Sequence, residues 1–129
     1  MHVVADEMTR NLLTVEPGLS LVDAAKRMND RGVGAVIVTE GDRLVGILTE
    51  RDMLHAVARG FGEDAKVREW MTAHPETIDS SDSTEHAAAL MIHGGFRHLP
   101  VLEEGRLAGI LSIRDVMRVA LQDMSPRGV

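Results

Sequence analysis

The sequence contains no cysteine and no tyrosine, and its 129 residues include only one tryptophan and two phenylalanines. Without cysteine the chain cannot form disulfides, thiolate nucleophiles or Cys-ligated zinc sites, and nothing in it indicates an oxidising compartment. With so few aromatic rings, a binding pocket in this protein has to hold a flat base between aliphatic side chains and not by aromatic stacking.

Long apolar runs are also missing. No stretch approaches the ~20 apolar residues that a membrane span needs, and residues 1–7 lack the basic start and apolar run of a secretion signal. We therefore expect a cytoplasmic protein that does not bind membranes. Positive charge is scarce too, because 14 basic residues stand against 20 acidic ones, for a net charge of −6. General nucleic-acid binding needs a surplus of positive surface and is not expected.

What the sequence does contain is an internal repeat. Asp115 follows Asp52 by 63 positions, and pairing residues 8–54 with 71–117 at that spacing, without a gap, gives 17 identities in 47 positions. Average composition would give about 3 by chance. Two copies are too few for a solenoid, so we expect a pseudo-twofold pair with a cleft between the copies. We place the first copy at 4–60, a linker at 61–66, the second copy at 67–122 and a C-terminal tail at 123–129.

Each copy predicts the order strand, helix, strand, strand, helix, which makes the fold class α/β (α+β) with two β-α-β-β-α units. Apolar residues recur at helical spacing after Ser20, a residue type that caps helices, and β-branched runs follow. In the first copy the expected elements are a strand at Thr14-Val15, a helix ending near Arg31, strands Val33–Val38 and Leu44–Leu48, and a helix from near Thr49 to before Gly60. In the second copy Ser83 caps a helix that stops at Gly94-Gly95, and Leu99–Leu102 pairs with Leu107–Leu111. Pro100 cannot donate a ladder hydrogen bond, which predicts that its strand lies at a sheet edge or near a cavity.

Two matching tetrapeptides follow the last strand of each copy: Thr49-Glu50-Arg51-Asp52 and Ser112-Ile113-Arg114-Asp115. A helix N-terminus with a hydroxyl beside it can bind phosphate, and an acid one turn later can accept both hydrogens of a ribose diol. The same residues also fit a capping box, in which hydroxyl and acid satisfy backbone N–H groups. The two roles are compatible.

The motifs resemble those of the CBS-domain family. The resemblance is carried by Gly46–Asp52 and Gly109–Asp115 closing each sheet, by Phe96–Val101, and by the openings Met8-Thr9 and Met71-Thr72. It covers about Val4 to Ala120 and looks like a stand-alone tandem pair, often called a Bateman module. It implies a cleft that binds an adenosine-containing ligand (AMP, ADP, ATP or S-adenosylmethionine) and regulates a protein in another chain. Such a nucleotide is a regulatory ligand, and no cofactor is expected.

The resemblance also implies roles for individual residues. It assigns ribose binding to Asp52 and Asp115. Phosphate contacts fall to Thr49, Ser112, Arg51, Arg114, Arg97 and His98, although an arginine in a first helical turn is often only solvated. The base is held mostly by main chain at Thr14, Val15, Gly34, Ala35, Thr77, Ile78 and Phe96. Because Gly34 and Ala35 stand where the second copy has Arg97 and His98, the sites should differ, and the second should bind phosphorylated ligands more tightly.

No residue set indicates catalysis or a metal. There is no Walker loop, nucleophile elbow or placed acid/base pair, and the six histidines lack ligand spacing. We therefore expect a non-enzymatic sensor. The alternative is a ligand-independent module that dimerises and docks a partner, and a nucleotide-hydrolysing enzyme ranks below both. Homodimerisation is expected through apolar residues of the second helix of each copy: Met53, Leu54, Val57, Val116, Met117, Ala120 and Leu121.

Overall fold

The structure, a computed structural model, describes residues 2–124 and separates the chain into two compact units. The middle unit is Leu12–Pro75, and the terminal unit combines Met1–Asn11 with Glu76–Val129. Of the expected tail 123–129, the first two residues complete the last helix, and residues 125–129 lie outside the described part.

Six helices and seven strands are formed by the described residues. In chain order they are α1 (Val4–Glu7), β1 (Thr14–Val15), α2 (Leu21–Arg31), β2 (Ala35–Glu40), β3 (Arg43–Thr49), α3 (Glu50–Arg59), α4 (Val67–Trp70), β4 (Thr72–Ala73), β5 (Ile78–Asp79), α5 (Thr84–Gly94), β6 (His98–Glu103), β7 (Arg106–Ser112) and α6 (Ile113–Met124).

The middle unit has a four-stranded sheet in the order β1-β2-β3-β4. Strand β1 runs parallel to β2, and the pairings β2 with β3 and β3 with β4 are antiparallel. Helix α2 begins where Ser20 Oγ accepts a hydrogen bond from the Asp23 amide, and it ends at Gly32, whose φ of +66° suits glycine. The core of the middle unit includes Leu21, Met28, Val36, Val38, Leu48 and Val67.

The terminal unit repeats this plan with a three-stranded sheet in the order β5-β6-β7 and helices α5 and α6. Ser83 caps α5 by accepting from the His86 amide at 3.0 Å. The core of the terminal unit includes Val4, Ile78, Met91, Leu99, Val101, Leu111 and Val116. Val4 comes from the chain's first helix and has no exposed surface, so the N-terminal segment is an integral part of this unit.

The first residues of each sequence copy fold with the remainder of the other copy. Residues 4–11 of the first copy lie in the terminal unit, and residues 67–75 of the second copy lie in the middle unit. Thr9, from the first copy, exchanges two backbone hydrogen bonds with Ile110 of β7, at 2.9 and 3.0 Å. Strand β4, from the second copy, pairs with β3 at Gly46 and Ile47. The compact units are therefore shifted relative to the sequence repeats.

The predicted secondary structure is largely confirmed. Both copies contain the expected order of elements, with strands that start or end one or two residues from the predicted limits. The short elements α1, α4 and β4 were not predicted from the sequence, because four residues or fewer carry too little periodicity.

The edge-strand prediction for Pro100 is wrong. Its strand β6 is central in the sheet, between β5 and β7, and Pro100 is fully buried. The register partner of Pro100 on β7 is Ile110, whose N–H and carbonyl both bond Thr9. Pro100 and Ile110 therefore form a non-hydrogen-bonded pair, in which no N–H of residue 100 is needed for pairing with β7. On the other side β5 pairs only from Val101 onward, and the missing N–H breaks no ladder bond.

Candidate functional site

The middle unit brings the first-copy candidates together where β2 begins and β3 ends. Ala35 is the register partner of Thr49, and the Glu50 amide donates to the Gly34 carbonyl at 3.0 Å. These pairings place the Gly34-Ala35 backbone beside the N-terminus of α3, the helix that carries Arg51 and Asp52. Thr14 and Val15 are one strand away, paired with Ile37 and Val38 of β2.

Asp52 and Thr49 form a capping box at the start of α3. Asp52 Oδ2 accepts from the Thr49 amide at 2.8 Å and from Thr49 Oγ1 at 3.1 Å, and Thr49 Oγ1 accepts from the Asp52 amide at 3.3 Å. Within the part of the chain that the structure describes, both hydrogen bonds to this carboxylate end on Oδ2. Oδ1 keeps its lone pairs for another donor, so capping and ligand binding can coexist in one residue.

The terminal unit builds the same arrangement from the second copy. His98 is the register partner of Ser112, and the Ile113 amide donates to the Arg97 carbonyl at 2.8 Å. Asp115 Oδ2 accepts from the Ser112 amide at 2.9 Å, and Ser112 Oγ accepts from the Asp115 amide at 3.1 Å. Here Oδ1 is also engaged, since Arg118 lies 3.3 Å away, so a ligand hydroxyl has to compete with an exposed guanidinium.

The remaining candidates divide by exposure. Arg51, Arg97, Arg114 and Thr14 are exposed, and His98 and Thr77 are partly buried. By contrast, Val15, Ala35 and Ile78 are buried, so only their main-chain groups are available to a ligand. Phe96 is partly buried, packs against the terminal-unit core and lies over Gly94.

Sequence reasoning missed one residue at the middle-unit junction. The Glu50 side chain lies over Gly34, and a Cβ added to Gly34 would collide with the Glu50 carboxylate. A signal for it was present in the repeat, because position 50 is acidic while its counterpart, Ile113, is apolar.

The perturbed carboxylates lie elsewhere. The pKa of Glu103, on β6, is lowered chiefly by its hydrogen bond to Arg10, with a contribution from Ser80. The pKa of Asp79 is lowered by the hydroxyl and amide of Ser81. Neither residue belongs to a junction. No group of histidines and carboxylates in residues 2–124 is arranged to hold a metal ion, and no helix there is long and apolar enough to cross a membrane.

Two residues expected at a dimer surface pack against the cores instead, Val116 buried and Met53 partly buried. Val116 is part of the terminal-unit core, and Met53 packs against the middle-unit core. The other large apolar residues of that set remain exposed, with exposed fractions of 66% for Leu54 and Val57, 55% for Met117 and 63% for Leu121.

Two copies of one α/β unit, each ending in a capped strand-to-helix junction, define a tandem-repeat module. The family model of the CBS domain matches the chain twice, at residues 4–59 and 67–122. The chain belongs to the CBS-domain family, as a pair of CBS domains. This confirms the family and the fold class expected from the sequence.

Known proteins and structures agree with this assignment. CBS domain-containing protein YhcV of Bacillus subtilis is 34% identical over 117 residues, which is 90% of this chain and 84% of that protein. The crystal structure of the CBS-domain protein ATU1752 from Agrobacterium tumefaciens is 38% identical with a TM-score of 0.85, covering 92% of this chain and 98% of that one. The structure of CBSX2 in complex with AMP is 30% identical with a TM-score of 0.81, covering 97% and 100%.

Proposed function

We propose that this chain is a regulatory module that senses an adenine nucleotide and passes its state to a protein in another chain. One set of binding residues lies on each unit. Asp52 and Asp115 hold the ribose, and Thr49 and Ser112 with the neighbouring arginines and His98 hold phosphate. The main chain near Thr14, Val15, Gly34, Ala35, Thr77, Ile78 and Phe96 holds the base.

The observation that carries this proposal is the same junction built twice. In each unit a helix N-terminus, a hydroxyl and a carboxylate stand beside the first residue of a neighbouring strand. A helix N-terminus favours an anion, and a carboxylate favours a diol, through a spare oxygen at Asp52 and in competition with Arg118 at Asp115, so the pair of groups fits a nucleotide. A similar CBS pair, CBSX2, was crystallised with AMP, which makes AMP the first ligand to test.

The test measures AMP binding by the full chain and by its Asp115→Ala variant. Losing the charge-assisted hydrogen bonds to the ribose should cost about 1.5–3 kcal/mol, which weakens AMP binding roughly ten- to a hundredfold at that site. Titration calorimetry gives the affinity. The rise in melting temperature with AMP gives an independent reading, because a ligand of the native state stabilises by RT ln(1 + [L]/Kd).

A capping control is needed because Asp115 also stabilises α6. Ser83→Ala removes the cap of α5, a helix whose N-terminus carries no candidate residue, and should lower stability by about 1 kcal/mol while leaving AMP affinity unchanged. If AMP, ADP and ATP all give neither heat nor stabilisation with the unmodified chain, the sensing proposal is wrong. The ligand-independent docking module is then the better description.

We also propose that the chain works as a homodimer. Met117, Leu121 and Met124 follow one another on α6 at helical spacing and are 55%, 63% and 77% exposed, and Leu54 and Val57 form a second exposed pair on α3. Sedimentation equilibrium should show a dimer that Leu121→Lys converts to a folded monomer. Gln122→Lys, which adds the same charge at the next position of α6, should stay dimeric. A chain that sediments only as a ~14 kDa monomer at micromolar concentration contradicts the proposal.

A further inference from the structure

Each junction has one charged residue that its counterpart lacks, and the two residues have opposite charge. Glu50 is the first residue of α3, and its counterpart at the start of α6 is Ile113. On the preceding strand the counterpart of Gly34 is Arg97. The backbone is the same in both, because Glu50 donates to the Gly34 carbonyl and Ile113 donates to the Arg97 carbonyl. The middle-unit junction therefore has an added carboxylate, and the terminal-unit junction has an added guanidinium.

The two charged residues lie on the two sides of the same backbone pairing, Glu50 on the helix side and Arg97 on the strand side. A Cβ built on Gly34 would meet Glu50 Oε1 first, with Cδ at 3.1 Å and Cγ at 3.5 Å. The Glu50 carboxylate thus lies where a side chain at position 34 would leave the backbone. In the terminal unit, that position carries the side chain of Arg97. The sign of the charge beside the helix N-terminus is reversed between the units.

The difference in charge affects the binding of a phosphate group more than the binding of a nucleoside. A phosphate at the start of α6 has Arg97 on the paired strand, whereas a phosphate at the start of α3 has the Glu50 carboxylate beside it, and like charges repel. The ribose and base carry no charge and are little affected. Arg51 and Arg114, and likewise Asp52 and Asp115, occur at both junctions, so they do not create this difference.

We propose that the two sites take ligands of different charge. The terminal-unit site binds a phosphorylated adenosine nucleotide, and the middle-unit site binds an adenosine nucleoside without phosphate, because Glu50 repels the phosphate. At the middle-unit site Thr49 then holds water in place of the phosphate. This inference rests on the proposed function and assigns a ligand class to each of its sites.

Titration calorimetry with AMP and with adenosine tests the assignment on the full chain. The unmodified chain should bind one AMP, and adenosine should still bind when AMP is saturating, since it then fills the middle-unit site. In Glu50→Gln, which keeps the side-chain size and removes the charge, the AMP stoichiometry should rise from one to two per chain. Glu50→Ile, which copies the second junction, should do the same.

The reciprocal variant is Ile113→Glu. It places a carboxylate at the terminal-unit junction and should weaken AMP binding about tenfold or more, with adenosine binding retained. Glu50 is exposed, but Ile113 is partly buried against the terminal-unit core, so circular dichroism and a thermal melt are needed to confirm that each variant folds.

Each outcome decides the question. Two AMP molecules bound by the unmodified chain, or a stoichiometry of one that neither Glu50 variant changes, overturns the charge assignment and leaves the proposed function standing. Absence of heat and of stabilisation with AMP, ADP, ATP and adenosine overturns both proposals together.

Discussion

At the scale of single residues, two glycines determine how closely the exchanged segments approach the sheets. A Cβ on Gly109 would lie 2.8 Å from the Thr9 carbonyl oxygen and 2.7 Å from the Met8 sulfur, and a Cβ on Gly46 would meet Met71 and Thr72 in the same way. Met8 and Met71 therefore have a packing role as well as being repeated in sequence. Their side chains cover the sheet positions that glycine leaves open.

Substitution of Gly109 should separate the Thr9 strand segment from β7. Because one of the two nearest atoms is a backbone oxygen, which cannot move aside as the Met8 side chain can, Gly109→Ala is expected to lower the free energy of unfolding by about 1–3 kcal/mol, measured by urea titration. Gly62→Ala is the control, since a Cβ there meets nothing within 4 Å and the backbone needs no positive φ. Equal stability of the two variants would show that the close approach is not tight in solution.

Residue types at the candidate site could be recognised from the sequence, whereas their present contacts could not. The repeat singled out Asp52 and Asp115, and their capping hydrogen bonds follow from spacing alone. The folding of Glu50 over Gly34 depends on the rotamer of a long side chain, and the pairing of Arg118 with Asp115 depends on the exposed face of α6. The i,i+3 spacing of Asp115 and Arg118 allows their pairing, but it does not determine which carboxylate oxygen Arg118 occupies.

At the scale of elements, the N-terminal segment is attached to the terminal unit by backbone hydrogen bonds, by buried Val4 and by an ion pair. Arg10 contacts both carboxylate oxygens of Glu103 on β6, at 3.3 and 3.4 Å. Local periodicity predicted the long helices and the hairpins well. It could not predict which sheet the first eleven residues join, because that choice depends on contacts about a hundred residues away in sequence.

The ion pair of Arg10 gives this attachment a pH dependence. The pKa of Glu103 is lowered below its ordinary 4.5, so the stabilising contribution is present at neutral pH and is lost as the pH falls through the folded-state value. Arg10→Gln should therefore be slightly less stable than the unmodified chain at about pH 7, and the difference should shrink as the pH falls through the lowered pKa of Glu103, by urea unfolding. A difference that persists unchanged in acid would assign the effect of Arg10 to packing.

At the scale of the whole molecule, the units that fold differ from the units that repeat. The duplicated sequence runs over 4–59 and 67–122, while the compact units are Leu12–Pro75 and the two terminal stretches. The number of repeats, the fold class and the family were accessible from the sequence. The exchange of opening segments was not, because the sequence is the same whichever sheet each opening joins.

Two excised fragments test whether the compact unit or the sequence copy is the unit that folds. Residues 12–75 contain β4 and the fully buried Val67, so this fragment should show a cooperative thermal transition by circular dichroism. Residues 4–60 contain one sequence copy but lack both features, and they bring Val4 without the core that buries it. We expect little cooperative structure from that fragment. Comparable transitions in the two fragments would mean that the sequence copy is itself the folding unit.

The exchange of openings also sets an order of events during synthesis. The middle unit is complete once Pro75 has left the ribosome, while residues 2–11 are made before it and their partner sheet is made after it. The N-terminal segment therefore waits for its partner sheet while the middle unit is made, and the middle unit can fold before the terminal unit. A pause or truncation late in synthesis would leave the apolar N-terminal residues Val3 and Val4 without their binding surface.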